Sequence, residues 1–523
     1  MAEQTSSGQL TIDQIQNFEG KYPKQLWYLF LSEMWERFSF YGMRGMLTIF
    51  MVEKLLLNEK EANLQYGATQ AFVYTLAFVG GLFADKILGF RKSIFWGGIL
   101  MIIGSFTLAC MPANDPHNLF YLGISFTIVG TGFFKPNIST MVGRLYKSGD
   151  VRKDAGFGLF YSGINVGALL GGWACIHVAN TYSWNAAFSL AGIVMSLSLI
   201  IFIFTKKTLG PIGLPPVSSK ITAAENALSD QLKLGAMEAP ATTKAITTKD
   251  LLVYGGSLLS IPLILILVSN SQYTNYFMYT VGPLTLLYIF YEMSKYNTVE
   301  RQKLAAALIF IIFSIFFWAF FEQAGGSLSL FARYNLGHQV LGFNFDPNEV
   351  NNSSNSFFVI LFSPLVGLLW PWLSKRKIEP NTVVKFGLGF LFVSLSFYIF
   401  YYTRFFAGAD GKTSLNVFTL AYLVTTIGEL CLSPIGLSIM TSLSPKPLHG
   451  VMMGMWFLAS AYGQYAAGLL GAGMATANEN ASLMDKLLAY TEGYKHLALY
   501  ALISGIVLIA ISPLVRKLMH EVH

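Results

Sequence analysis

The chain has 523 residues, 54% hydrophobic and 15% aromatic, and only 12% are Asp, Glu, Lys or Arg, where soluble domains carry about 25%. With a mean hydropathy of +0.51, this excludes a water-soluble enzyme and a disordered chain; it leaves a protein with many membrane spans, whose surface stays apolar where it meets lipid. The net charge of +7 then reads as an asymmetry between loops and not as nucleic-acid binding.

Residues 1–25 are polar and acid-containing, without the pattern of a cleavable signal peptide or a lipidation motif, so the first span is expected to act as its own insertion signal. About 20 apolar residues cross a hydrocarbon core. Spans are expected near 27–51, 67–85, 93–111, 118–143, 156–178 and 184–205, and again near 303–324, 353–373, 384–402, 415–443, 449–472 and 495–515. Between the two series, the polar stretch 206–250 contains Gly210, Pro211, Pro215 and Pro216 and reads as a linker. Two apolar segments, 251–269 and 276–293, read as an inserted helical hairpin. The expected fold is an all-α membrane protein of fourteen transmembrane helices: a six-helix bundle in 1–206, linker and hairpin in 207–302, and a second six-helix bundle in 303–523.

Lys86, Arg91 and Lys92, then Arg144, Lys147, Arg152 and Lys153, then Lys375, Arg376 and Lys377 occupy loops on one side, whereas 112–117 and 179–183 hold no Lys or Arg. The positive-inside bias places both termini in the cytoplasm of a cell-membrane protein. Cys110, Cys175 and Cys431 have no metal or disulfide spacing and read as buried small residues. Gly130 to Pro136 and Gly428 to Pro434 share one spacing in corresponding spans, a weak repeat that fits two related halves around a midplane cavity.

The first span carries Glu33, Glu36, Arg37 and Arg44, although one ionised side chain at the bilayer centre costs about 2.5–3.5 kcal/mol. At about 100° per residue, Glu33, Glu36, Arg37, Phe40, Tyr41 and Arg44 share one stripe, with Trp35 and Phe38 on the other side. Such a helix aims a polar face at a cavity. Lys135, Glu322 and Glu429 lie deep in three further apolar runs. A static ion pair explains two such charges, not seven spread over four spans; acid, base and cation sets inside a membrane are the usual hardware of ion-coupled transport. Asn165, Asn355, Ser433 and Ser460 add neutral hydrogen-bonding groups, and Tyr41, Tyr74, Trp318 and Trp456 add amphipathic walls.

The run from Glu33 through Glu36, Arg37, Tyr41 and Gly42 to Arg44 resembles the first-span motif of the proton-dependent oligopeptide transporter family of the major facilitator superfamily. Gly80 to Gly89 is similar to that superfamily's loop between spans two and three. Gly130 to Asn137, Phe157 to Gly167, Trp318 with Glu322, Asn355 to Phe358, Gly428 to Pro434 and Met455 to Leu458 extend the resemblance over essentially the whole chain, the bacterial-type hairpin included.

The resemblance implies the major facilitator fold and inward symport of di- and tripeptides with protons as the coupling ion, without another cofactor or a metal. It implies that Arg44 and Lys135 meet the peptide carboxylate, that Glu429 with Asn165 and Asn355 faces the amino terminus, and that Tyr41, Tyr74, Trp318 and Trp456 line side-chain pockets near Ser433 and Ser460. It further implies proton coupling by Glu33, Glu36, Arg37 and Glu322, an outer gate of Arg44 with Glu322, and an inner pairing of Lys135 with Glu429. Cations on one half and a carboxylate on the other would complement both ends of a zwitterion and leave the side chains loosely read. Two positions depart from the pattern. Phe40 replaces a Tyr and removes one hydroxyl contact, and Gly67 stands where animal members carry a His, so protonation would rest on carboxylates. A relative moving nitrate or another small solute, and a sensor that binds peptide without moving it, remain as alternatives. A membrane enzyme lacks a nucleophile–base or metal motif in any span. Oligomeric state has no signal.

Overall fold

A computed structural model of the protein describes residues 10–147, 149–216, 246–432, 436–476 and 481–522. A short helix α1 (Ile12–Gln16) precedes α2 (Lys24–Glu53), α3 (Glu59–Phe83, continued by a π-helical turn over Ala84–Leu88), α4 (Phe90–Ala109), α5 (His117–Arg144), α6 (Arg152–Thr181) and α7 (Trp184–Thr205). The hairpin is α8 (Thr248–Ser269) and α9 (Ser271–Met293), joined at Asn270. The rest comprises α10 (Thr298–Phe321), α11 (Ser327–Asn335), α12 (Pro347–Lys375), α13 (Thr382–Tyr402), α14 (Leu415–Leu432), α15 (Gly436–Ser442), α16 (His449–Met474), α17 (Leu483–Ala510) and α18 (Ser512–Met519).

Fourteen of these helices have 18 or more residues, and 11 are long and apolar enough to cross a membrane. The other three are α2, α9 and α16; in α2 the four charges of its polar stripe dilute the hydropathy. The helices start where the sequence supplies caps. Asn58, Asn297 and Asn381 each accept a backbone N–H of the first turn, as do Asp346 and Ser482, satisfying donors that the first turn of a helix leaves unpaired.

Two expectations are corrected. The last span runs over Leu483–Ala510 rather than 495–515, because Ser482 and Asp485 form a capping box and the charges of its first turns are paired; Ser512–Met519 is a separate helix begun by Pro513. The all-α architecture carries one small loop hairpin, in which β1 (Gln339–Val340) and β2 (Phe343–Asn344) pair antiparallel around Leu341 and Gly342, both at positive φ, as a two-residue hairpin turn requires. Cys110 is exposed, since it sits just past the end of α4, whereas Cys175 and Cys431 are buried.

Buried apolar side chains form two large clusters. One gathers α2 to α7 together with Val253, Ile261, Ile264 and Val268 of α8; the other gathers α10 to α18 with Ile289 of α9. A third, small cluster joins α3, α9 and α16. The two halves therefore meet along α3–α16 and α6–α12. Below, the end of the molecule holding the loops 54–58, 112–116 and 336–346 is the far end; α1 and α18 lie at the near end.

Candidate functional site

The polar stripe of α2 is buried. Glu33, Glu36 and Arg37 are each no more than 2% exposed. Arg37 Nε lies 3.0 Å from Glu33 Oε1 and also contacts Glu36, and its guanidinium stands over the Phe40 ring. This triad can be buried because α6 approaches α2 closely at Gly167 and Gly171. A Cβ at either glycine would overlap the carbonyl of Met34 or Phe38. The segment around Gly167 thus serves backbone contact, while Asn165 donates to the carbonyl of Tyr161 in its own helix, 3.0 Å.

Two turns further along α2, Arg44 is shared. Its Nε donates to the Tyr66 hydroxyl at 2.6 Å, its guanidinium lies 5.6 Å from the Tyr41 ring centroid, and its Nη2 pairs with Glu322 from the other half. Glu322 caps α10 at its C-terminal end, where a 3-10 turn over Glu322–Gly325 interrupts the helix before α11. A carboxylate there opposes the helix dipole, and Arg44 offsets that cost. Thr48 donates to the carbonyl of Gly325 beside it.

Toward the far end, the seam is tied again. Glu53 Oε1 lies 2.7 Å from Arg333 Nε, Glu59 Oε1 lies 2.6 Å from Lys486 Nζ while its Oε2 accepts from the Tyr490 hydroxyl, and His177 Nδ1 lies 3.0 Å from Glu349 Oε1. Together with Arg44–Glu322, the Glu53 and Glu59 pairs are the three Arg or Lys ion pairs between the halves among the described residues, and with the His177–Glu349 hydrogen bond all occupy one end.

Below Arg44, each half keeps its charges to itself. The Lys135 ammonium stands 4.1 Å from the Tyr74 ring centroid. Glu429 accepts from Asn355 Nδ2 at 2.9 Å, and the same amide reaches Thr426 Oγ1 at 3.2 Å. The expected Lys135–Glu429 pair is not formed: Lys135 has its partner on α3 and Glu429 its partner on α12. Tyr74 also feels the charges of Arg37 and Arg44 and those of Glu322 and Glu429 of the other half. Trp318 packs edge-on against Phe317 and Phe321. Trp456 lies over Gly436 and accepts from Ser460 Oγ at its carbonyl, 3.3 Å. Ser433 lies outside the described residues.

Tyr66, the Asn351–Tyr422 hydrogen bond of 2.6 Å, and the rim pairs of Glu53, Glu59 and His177 were not singled out from the sequence. Each rim charge flanks a span, where a charge ordinarily marks only the interface. The stripe Asn348, Asn351, Asn352, Asn355 on α12 was the available signal, since its i, i+3, i+4, i+7 spacing puts four amides on one helix face. Among the described residues no group of His, Cys, Asp and Glu is arranged to hold a metal ion.

Residues 91–487 match the model of the POT family. The chain is 35% identical over 466 residues, 86% of its length and 88% of the relative's, to the peptide transporter YePEPT of Yersinia enterocolitica subsp. palearctica. It is 29% identical over 501 residues, 95% of its length and 97% of the relative's, to dipeptide and tripeptide permease B of Photorhabdus luminescens. Among solved structures, the peptide transporter POT in complex with sulfate superposes with a TM-score of 0.78 at 30% identity, covering 98% of this chain and 99% of the other.

Proposed function

Since the chain belongs to the POT family, a family of multi-pass membrane transporters, we propose that it is a proton-coupled symporter that imports di- and tripeptides by alternating access. Residues 1–206 and 303–523 move as two bundles, with 207–302 as linker and hairpin. The protein spans the inner membrane through fourteen helices with both termini in the cytoplasm, the side on which the Lys- and Arg-rich loops lie. Protons are the coupling ion, and no other cofactor takes part.

One observation carries this reading: Arg44, a cation on the chamber wall, is held by Glu322 across the seam, while Lys135 and Glu429 stand on opposite halves without an ion partner among the described residues. Arg44 and Lys135 receive the peptide carboxylate, and Glu429 with Asn355 and Asn165 the amino group. Tyr41, Tyr74, Trp318 and Trp456 bound the side chains, with Ser433 and Ser460 beside them. Protonating Glu322 removes the charge that holds Arg44, which opens the far end and frees Arg44 for the substrate carboxylate. Glu33, Glu36 and Arg37 relay the proton beneath, within reach of Lys135. Once substrate is bound, the proton passes from Glu322 to the groups beneath and Glu322 recaptures Arg44, which shuts the far end so that substrate and proton leave toward the cytoplasm; Lys135 and Glu429 approach only when the near end shuts. A proton moving inward supplies about 2.3 kcal/mol per 100 mV of membrane potential, enough to drive accumulation when both move together.

The test is uptake into liposomes under an inward proton gradient, comparing dialanine with free alanine, nitrate and a sugar. Accumulation of dialanine alone is expected. Nitrate accumulation, or binding of dialanine without flux, would replace the proposal with an anion carrier or a sensor.

A further inference from the structure

The inserted hairpin lies mostly on the outside of the two halves, but one face of it reaches the seam between them. α8 is fastened to the first half by Lys92 Nζ to Asp250 Oδ2, 2.6 Å, and by Trp96 Nε1 donating to Ser257 Oγ at 2.9 Å. α9 is fastened to the second half, where Tyr465 donates to Asn275 Oδ1 at 2.5 Å and the Tyr462 hydroxyl donates to the carbonyl of Met278. Pro283 removes the helix donor for the Tyr279 carbonyl and loosens the turn that Tyr462 reaches. Most of α9 is exposed; only Thr274, Met278 and Ile289 of its 23 residues are buried.

Met278 is 0% exposed. It forms one apolar cluster with Ala71 of α3 and with Ala461 and Tyr465 of α16, and Tyr74, Phe277, Leu458 and Tyr462 pack against that cluster. Phe277 also stacks at a tilt on Phe72 of α3, with centroids 5.1 Å apart. Tyr74 is the residue whose ring carries the Lys135 ammonium. The chamber wall formed by Tyr74 is thus backed by a side chain of the hairpin, through small alanines on both halves.

We infer that Met278 is a positioning residue of the transport site: wedged where α3, α9 and α16 meet, it sets how far Tyr74 stands into the chamber and so how large a peptide side chain the site takes. The inference rests on the peptide-transport reading. Methionine suits the position because its unbranched, flexible thioether follows neighbours that shift, and α3 and α16 belong to halves that must move past each other. Truncation there leaves a void, whereas a volume-conserving apolar side chain is tolerated.

The test uses the full chain in proteoliposomes, comparing wild type, Met278→Leu and Met278→Ala. Uptake of dialanine and of diphenylalanine is measured, and hydrogen exchange of residues 70–78 and 458–465 is followed in the same preparations. Met278→Ala is expected to change the ratio of KM values for the two peptides by about threefold or more, with the Vmax for dialanine retained, and to speed exchange in those two segments. Met278→Leu is expected to stay near wild type. An unchanged KM ratio in folded Met278→Ala overturns the inference, as does unchanged exchange. If wild type moves neither peptide, the transport reading falls, and the exchange result alone decides whether Met278 holds the seam.

Discussion

The far end of the seam and the chamber beneath it hold the same kinds of side chain in opposite arrangements. At the far end each Arg or Lys between the halves faces an acid of the other half, Arg44 and Glu322, Arg333 and Glu53, Lys486 and Glu59, and His177 is hydrogen-bonded to Glu349. In the chamber, Lys135 leans on Tyr74 of its own half and Glu429 on Asn355 of its own half. Charges tied across the seam hold the halves together and resist opening. Charges tied only to neutral neighbours remain available to a ligand carrying both signs. Arg44 is tied across the seam to Glu322 and within its own half to Tyr66, so under the proposed function one proton on Glu322 would convert closure into binding.

Breaking the shared pair has the largest expected effect. Removing one member of a buried ion pair costs about 3–5 kcal/mol. Glu322→Gln is therefore expected to abolish proton-driven accumulation while peptide exchange across the membrane persists; accumulation and counterflow assays separate the two, and unchanged pH-driven accumulation would remove Glu322 from the gate. Next comes Lys135→Ala, which takes one charged contact from the ligand and not from the seam. A hydrogen bond to a charged group is worth about 1.5–3 kcal/mol, so the KM for dialanine is expected to rise about tenfold or more; uptake kinetics like those of wild type would exclude Lys135 from the site. The smallest effect belongs to the rim. Glu53→Gln keeps the shape but weakens the tie to Arg333 by about 1 kcal/mol or less, as for partly exposed pairs. A cysteine at Ile49, which is buried in the second half's core, is then expected to react a few times faster with an impermeant thiol reagent. A rate equal to that of the parent would make the rim pair ornamental to closure.

What could be read from the sequence followed its range of interaction. The stripe on α2 depends on helical period alone, and it lies buried as one face of that helix. The inserted hairpin was visible as two apolar runs and appears as α8 and α9. The span expected at 303–324 ends within the 3-10 turn over Glu322–Gly325, but the short helix α11 that follows was not anticipated. The rim pairs were out of reach: Arg333 and Glu53 are 280 residues apart in the chain, and no periodicity reports the register of one half against the other. The start of α17 was missed because Asp485, Lys486, Glu492 and Lys495 made its first turns look like a loop, although partners such as Glu59 and Arg404 take up their charges. The hairpin's contact with Tyr74 was hidden likewise, since Met278 has the same appearance as any apolar residue of a lipid-facing helix.

The most direct test of partner exchange at Arg44 is the distance across the far end as a function of pH. Spin labels at Tyr182 and Phe343, both exposed and on opposite halves, with Cys110→Ser to remove the exposed thiol, report it by pulsed electron resonance in lipid nanodiscs. Acidification is expected to lengthen the distance in the parent, and Glu322→Gln to show the long distance at every pH. One short distance under all conditions, in parent and variant alike, would contradict a proton-released tie between Arg44 and Glu322.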